Sequence, residues 1–184
     1  MDLRIQRTKA AIRAAFLELR KKKPIEKITV TELSKLAGIN KATFYLHYAD
    51  IYFLSDEIED EIIEQIISNL NLKEKFFTQP QEYASEFATE IFRAFSENRL
   101  LSSVFSGSRY SLFSQKIEQR IKASLYEKYP DINTLDNDII LTFLIQGSFH
   151  TIAGFRDEER EAAYNVISGC TSKIIEQMVN NSDK

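Results

Sequence analysis

Apolar side chains recur every three or four residues through most of the chain, and no stretch alternates apolar and polar positions over the length of a strand. That period marks amphipathic helices, so the pattern predicts an all-α fold. A first helix is predicted over about 3–22, with Ile5, Ile12, Phe16 and Leu19 on one face and Pro24 as its stop. Val30, Leu33 and Leu36 share one face of a short second helix. Gly38 then reverses the chain, because glycine reaches positive φ without steric penalty. Ile39 follows as an apolar anchor, and a third helix opens at Asn40 or Lys41, asparagine being a favoured N-cap. In that helix Lys41, Thr43, Tyr45 and His47 take polar faces, while Ala42, Phe44 and Leu46 include the inward positions.

The fourth helix begins after Asp50, with Leu54, Ile58, Ile62 and Ile66 at helical spacing. Its other side, Asp56, Glu57, Glu59, Asp60, Glu61 and Glu64, reads as a solvated acidic face. A loop is predicted from Asn69 to Pro80, followed by helices over about 81–97, 100–105, 110–128, 135–155 and 158–179. Breaks fall at Asn98, Gly107 and Pro130–Asn133, and Asn180–Lys184 should fray. This organisation gives a helix-turn-helix domain over 1–50 and a helical bundle over 51–184.

Charge sharpens the division. Residues 1–50 hold 11 basic and 5 acidic side chains, whereas the other 134 hold 13 and 22. A basic head on an acidic body suits a phosphate-facing domain, since phosphate neutralisation supplies most non-specific DNA affinity. The layout of two short helices around a glycine turn, the second carrying polar and aromatic side chains, is that of a helix-turn-helix whose second helix fits the major groove.

Residues 29–54 also resemble the DNA-binding domain of the TetR (tetracycline repressor-like) family. The resemblance rests on Thr29, the run Leu33-Ser34-Lys35-Leu36-Ala37-Gly38-Ile39, Lys41, Thr43-Phe44-Tyr45, His47-Tyr48 and Leu54, and it covers roughly the first 55 residues. It implies that Thr29 caps the second helix and meets a phosphate, and that Thr31 approaches a base or a phosphate. Lys41, Ala42 and Thr43 would face the groove. Tyr45 would touch phosphate with its hydroxyl and the groove with its ring, His47 would contact phosphate, and Tyr48 would pack beneath the helix. One departure stands out. The family places a lysine at the start of the fourth helix to clamp a phosphate, and here the run is Ala49-Asp50-Ile51. Asp50 can cap that helix, but Ile51 cannot neutralise a phosphate, so a weaker grip or compensation from the basic N-terminus is expected.

The bundle is rich in aromatics at helical spacing, which serve mostly as core. Within it an apolar effector pocket is expected to draw on Phe87, Phe105 and Phe113, with Arg109, Gln146 or His150 fixing the ligand's orientation. His150 alone, on an apolar helix, reads as a satisfied core histidine. Dimerisation is expected through the last two helices. Gly147, Ser148, Thr151 and Gly154 would permit close helix approach, and Ala163, Val166, Ile167, Cys170, Ile174 and Met178 form a stripe. A two-fold dimer would set its recognition helices one DNA turn apart, roughly 34–36 Å, and so require a palindromic operator.

Other chemistry finds little footing. The 2 histidines, His47 and His150, and the single Cys170 offer neither zinc spacing nor a catalytic constellation, and no phosphate-binding glycine motif is present. An enzyme, a metal site and a cofactor are therefore not expected. No apolar run approaches the length of a membrane span, and residues 1–16 lack the apolar core of a secretory peptide, so a cytoplasmic protein is expected. The sequence thus reads as a regulator that binds double-stranded operator DNA as a homodimer and answers to a small-molecule effector, more often a repressor than an activator. The rival reading is a helical adaptor of the same fold that acts through a protein partner, for which Ile51 and the acidic fourth helix speak.

Overall fold

A computed structural model describes residues 3–70, 73, 82–83, 86, 89–90, 93, 108–155 and 157–182. Among them are seven α-helices and no strand: α1 (Leu3–Arg20), α2 (Val30–Leu36), α3 (Lys41–His47), α4 (Ile51–Asn69), α5 (Tyr110–Lys128), α6 (Leu135–Gly154) and α7 (Arg160–Ser182). The helices expected over 81–97 and 100–105 lie almost wholly outside the described residues. None of the described helices is long and apolar enough to cross a membrane.

Proline has no N–H to continue a helix, and α1 ends before Pro24, with a 3-10 turn at Ile25–Lys27 leading into α2. α1 buries Ile12, Ala15, Phe16 and Leu19, while Ile5 stays exposed in its first turns. α2 packs against both α1 and α3. Its inner face turns on Leu33 and Ser34 and leaves Leu36 in solvent, although the spacing puts Leu36 on the same face as Leu33. In α3, Phe44 is fully buried and Leu46 is 82% exposed. Residues two positions apart on a helix point about 200° apart, so Phe44 and Leu46 cannot both face inward.

α4 buries Ile51, Leu54, Ile58, Ile62, Ile63 and Ile66, with Ser55 and Glu59 in the same stripe. The expectation of a wholly solvated acidic face is therefore corrected at Glu59, which sits four residues from both Ser55 and Ile63. α5 buries Phe113, Ile117, Ile121 and Leu125, and α6 buries Leu141, Ile145 and Phe149. α6 packs against α7, which a 3-10 turn at Asp157–Glu159 precedes. α7 runs to Ser182, past the fraying expected at Asn180. Once a long helix exists, each added residue of middling propensity costs well under about 1 kcal/mol, so polarity alone does not end it.

The chain divides into two compact units. One takes Met1–Glu64 with Arg99–Phe113, the other Gln65–Asn98 with Ser114–Lys184. The sequence places the expected end of the helix-turn-helix domain at residue 50; by compactness the first unit continues through most of α4 and includes the start of α5.

Candidate nucleic-acid interface

Local chemistry builds the turn between α2 and α3. Thr29 adopts an extended backbone and its hydroxyl oxygen accepts a hydrogen bond from the Glu32 N–H at 3.2 Å, satisfying one of the donors a helix start leaves open. The Glu32 carboxylate pairs with Lys23, which ties α2 to the end of α1. At the other end of α2, Gly38 takes φ +68°, the one positive φ among the described residues. The Ile39 N–H reaches the Ser34 carbonyl at 3.0 Å and the Gly38 N–H the Lys35 carbonyl at 3.3 Å. These two bonds make a Schellman cap, which needs a left-handed residue at the glycine's place.

α3 starts two residues after Ile39, with Asn40 between them. Asn40 caps it: Oδ1 accepts from the Thr43 N–H at 2.7 Å and from the Thr43 hydroxyl at 2.9 Å. An amide oxygen only accepts, so Thr43 must be the donor, and its own lone pairs stay open. Phe44 anchors the helix from below. Its ring meets Tyr45 edge-on at 5.5 Å between centroids and Tyr48 at 5.7 Å. With Phe44 fixed inward, Lys41, Ala42 and Tyr45 are exposed, Thr43 and His47 are half-buried, and Tyr45 shows 57% of its surface. Thr29 and Thr31 are exposed at the start of α2.

Tyr48 is buried beneath the helix and its hydroxyl donates to Glu57 Oε1 at 3.1 Å. Burial first, then the neighbouring Glu57 carboxylate, pushes that hydroxyl's pKa above its ordinary value. Lys9 binds both oxygens of Glu57, at 3.1 and 3.2 Å, and stands over the Tyr48 ring at 5.3 Å. Arg13 pairs with Glu61. Here the register was available in the sequence: Lys9 and Arg13 are four apart on α1, and Glu57 and Glu61 are four apart on α4. Matching spacings of opposite charge place both pairs along one helix–helix seam.

α4 is capped by Asp50, whose Oδ1 accepts from the Phe53 N–H at 2.7 Å. Ile51, at the place of the resembled family's lysine, is buried, while Tyr52 and Phe53 beside it are exposed.

The residues expected to line an effector pocket are placed as follows. Phe87 and Phe105 lie outside the described residues. Phe113 is fully buried. Arg109 is buried and donates Nε to Glu59 Oε1 at 2.7 Å and Nη2 to Glu59 Oε2 at 2.8 Å, with Asp56 a third contact. Hydrogen bonding to Glu59, against the opposing effect of burial, holds its guanidinium pKa above the ordinary value. Gln146 donates to Glu118 at 2.6 Å and to the Ser114 carbonyl at 3.2 Å, inside a polar cluster with Lys122 and Thr142. His150 is exposed, which corrects its reading as a core histidine: the apolar helix α6 presents that position to solvent.

Of the residues expected at a dimer interface, Gly147, Thr151, Gly154, Val166 and Cys170 are exposed, and Ile167 and Ile174 are half-buried. A Cβ added at Gly147 or Gly154 would meet nothing within 4 Å. Exposed apolar residues join them on the same two helices: Leu135, Ile139 and Phe143 on α6, Phe143 being 63% exposed, and Val166 on α7 at 67%. The sequence reading passed over the first three, although their spacing of four marks one helix face.

No family model matches the chain. A stretch of 85 residues is 31% identical to YxbF of Bacillus subtilis (strain 168), which is named an uncharacterized HTH-type transcriptional regulator. That stretch covers 46% of this chain and 21% of YxbF, so the chain spans about a fifth of the length of the relative it matches.

Proposed function

We propose that this protein is a DNA-binding transcriptional regulator of the TetR type, a homodimer on a palindromic operator whose affinity an unidentified small-molecule effector adjusts, in the commoner case as a repressor. The observation that carries this reading is the glycine-capped turn from α2 into an Asn40-capped α3 that buries Phe44 and leaves Lys41, Ala42 and Tyr45 in solvent. Such a helix offers the major groove a cation, a small apolar contact and a phenol. Thr43 adds an acceptor and a methyl group at the same end. Thr29 and Thr31 would meet backbone phosphate or a base, and His47 and the Tyr45 hydroxyl would bind phosphates on the rim.

The exposed apolar residues of α6 and α7 support a second copy as the partner of the 51–184 region. An effector held in the 51–184 region would act only through its differing affinity for two arrangements of the dimer. Nothing in the reading calls for catalysis, a metal or a cofactor.

The test is fluorescence anisotropy on the tightest duplex recovered from a random double-stranded DNA pool, against a scrambled duplex, at two salt concentrations. Sequence-selective binding that weakens with salt is the expected result. Weak, equal binding to both duplexes would sink the reading and leave the adaptor. That second reading has its own support: the buried Ile51 where a phosphate-binding lysine would stand, and the exposed Leu46, Tyr52 and Phe53 nearby in sequence.

A further inference from the structure

Two sets of ion pairs grip α4 on different sides. On one side Glu57 and Glu61 take Lys9 and Arg13 of α1, and Glu57 also takes the hydroxyl of Tyr48, the residue that closes α3. On another side Glu59, 0% exposed, takes Nε and Nη2 of Arg109, and Asp56 takes Nη2 as well. Ser55 donates to the same Glu59 carboxylate at 2.8 Å. Glu57 and Glu59 lie about 200° apart around the helix, so the two grips together fix its rotation. Arg109 is 50 residues from Glu59 along the chain and stands immediately before α5. It is also unlike the solvent-exposed pairs that Glu18 makes with Lys21 and Lys22, because both partners are withdrawn from water.

We infer that Arg109 is a positioning residue for the recognition helix, acting through Glu59 and Asp56 of α4 rather than by touching DNA. Without its guanidinium, the buried Glu59 carboxylate loses two charge-assisted hydrogen bonds and keeps Ser55 and the more distant charge of Arg20, so α4 gains free energy by turning that group toward water. The same turn carries Glu57 with it. Glu57 holds Tyr48, and Tyr48 packs on Phe44 at the foot of α3. A small rotation of α4 is thereby passed to the end of the helix that must match the groove. The inference rests on the reading of α3 as a DNA-binding helix.

The experiment uses the full chain and three variants, Arg109→Gln, Arg109→Lys and Glu59→Gln, with Lys122→Met as a control that breaks the Glu118 pair elsewhere. Circular dichroism selects a temperature at which each is folded. Affinity is then read by anisotropy on the tightest duplex from the random pool across a salt series, and amide hydrogen exchange is followed over residues 41–54. Arg109→Gln and Glu59→Gln should lose about five-fold or more in affinity, with a salt slope equal to the parent's and faster exchange over that segment. Arg109→Lys should recover part of the loss, and Lys122→Met should change affinity less than two-fold. Affinity within two-fold of the parent in a folded Arg109→Gln protein would overturn the inference. So would a salt slope reduced by about 0.9, the mark of a lost phosphate contact. If Arg109→Gln does not fold, Arg109→Lys and Glu59→Gln carry the same comparison. If the parent binds no duplex, it is the DNA-binding reading that fails. Exchange over 41–54 then decides the positioning role alone: parent-like exchange in the variants refutes it.

Discussion

α3 and α6 leave opposite chemistry in water. α3 buries one large aromatic, Phe44, and exposes Lys41 and Tyr45. α6 buries Leu141, Ile145 and Phe149 and still exposes Leu135, Ile139 and Phe143. The first helix leaves Leu46 in water too, but beside it stand a cation and a phenol, so its outer face can meet a polar, charged partner. The second is apolar on both sides, and an exposed apolar stripe on a helix is favourable only when something covers it. A nucleic-acid face and a protein face differ in this respect: one keeps its hydrogen-bonding groups available, the other gains by losing water.

The comparison breaks hardest at Phe44. Phe44→Ala removes a fully buried ring on which Tyr45 and Tyr48 pack, and should cost about 3–5 kcal/mol, enough to unfold the α2–α3 region. Chemical denaturation followed by circular dichroism measures it. A loss below about 1 kcal/mol would mean that the ring is not the anchor of α3.

Next comes the apolar stripe. With the proposed dimer seated on this stripe, Phe143→Glu should give monomers by light scattering, while the secondary structure is kept, since the side chain already faces solvent in the single chain. Gly147→Leu sharpens the same point. Within one chain the new side chain meets no atom within 4 Å, and leaving glycine should add about 1 kcal/mol of helix stability. A more stable protein that no longer dimerises is the expected pairing. Unchanged mass for both variants would move the interface off this face.

A smaller effect tests the caps. Asn40→Ala leaves the Thr43 N–H and hydroxyl without their acceptor and should cost about 1 kcal/mol in the same denaturation assay. It should also weaken DNA binding, because the first turn of α3 carries the residues proposed to face the groove. Equal stability would show that water replaces the cap at no cost.

The smallest change is Tyr45→Phe, which removes one exposed hydroxyl. Thermal stability should stay as it is, and operator affinity should fall by about 0.5–1.5 kcal/mol, the usual net worth of one hydrogen bond. Unchanged affinity at an unchanged melting temperature would take the Tyr45 hydroxyl out of the contact surface.

Much of the first unit was legible in the residues because its decisive interactions are short-range. Thr29 and Glu32 lie three apart, as do Asn40 and Thr43, and Gly38 needs only its own missing Cβ to accept positive φ. Any chain with these residues in this order meets the same local preferences, so the turn, the caps and the helical periods follow from the sequence itself. Which side of each helix faces inward followed less well. Leu36 and Leu46 are apolar and exposed, because a helix of seven residues has room for one inward stripe and the packing partner selects it.

Tertiary structure alone decided the pairs that Arg109 makes with α4. No local rule joins Arg109 to a carboxylate 50 residues earlier, and composition suggested that Glu59 was one more solvated acid. Its burial comes from lying in register with Ser55 and Ile63 on the inward face of α4, where a charge persists only if a cation arrives from elsewhere in the fold. The exposure of Leu135, Ile139 and Phe143 is of the same kind. Apolar residues surround α6, so period and polarity cannot tell its inner face from its outer one, and only its tertiary contacts, with α7 and through the polar cluster with α5, made that choice.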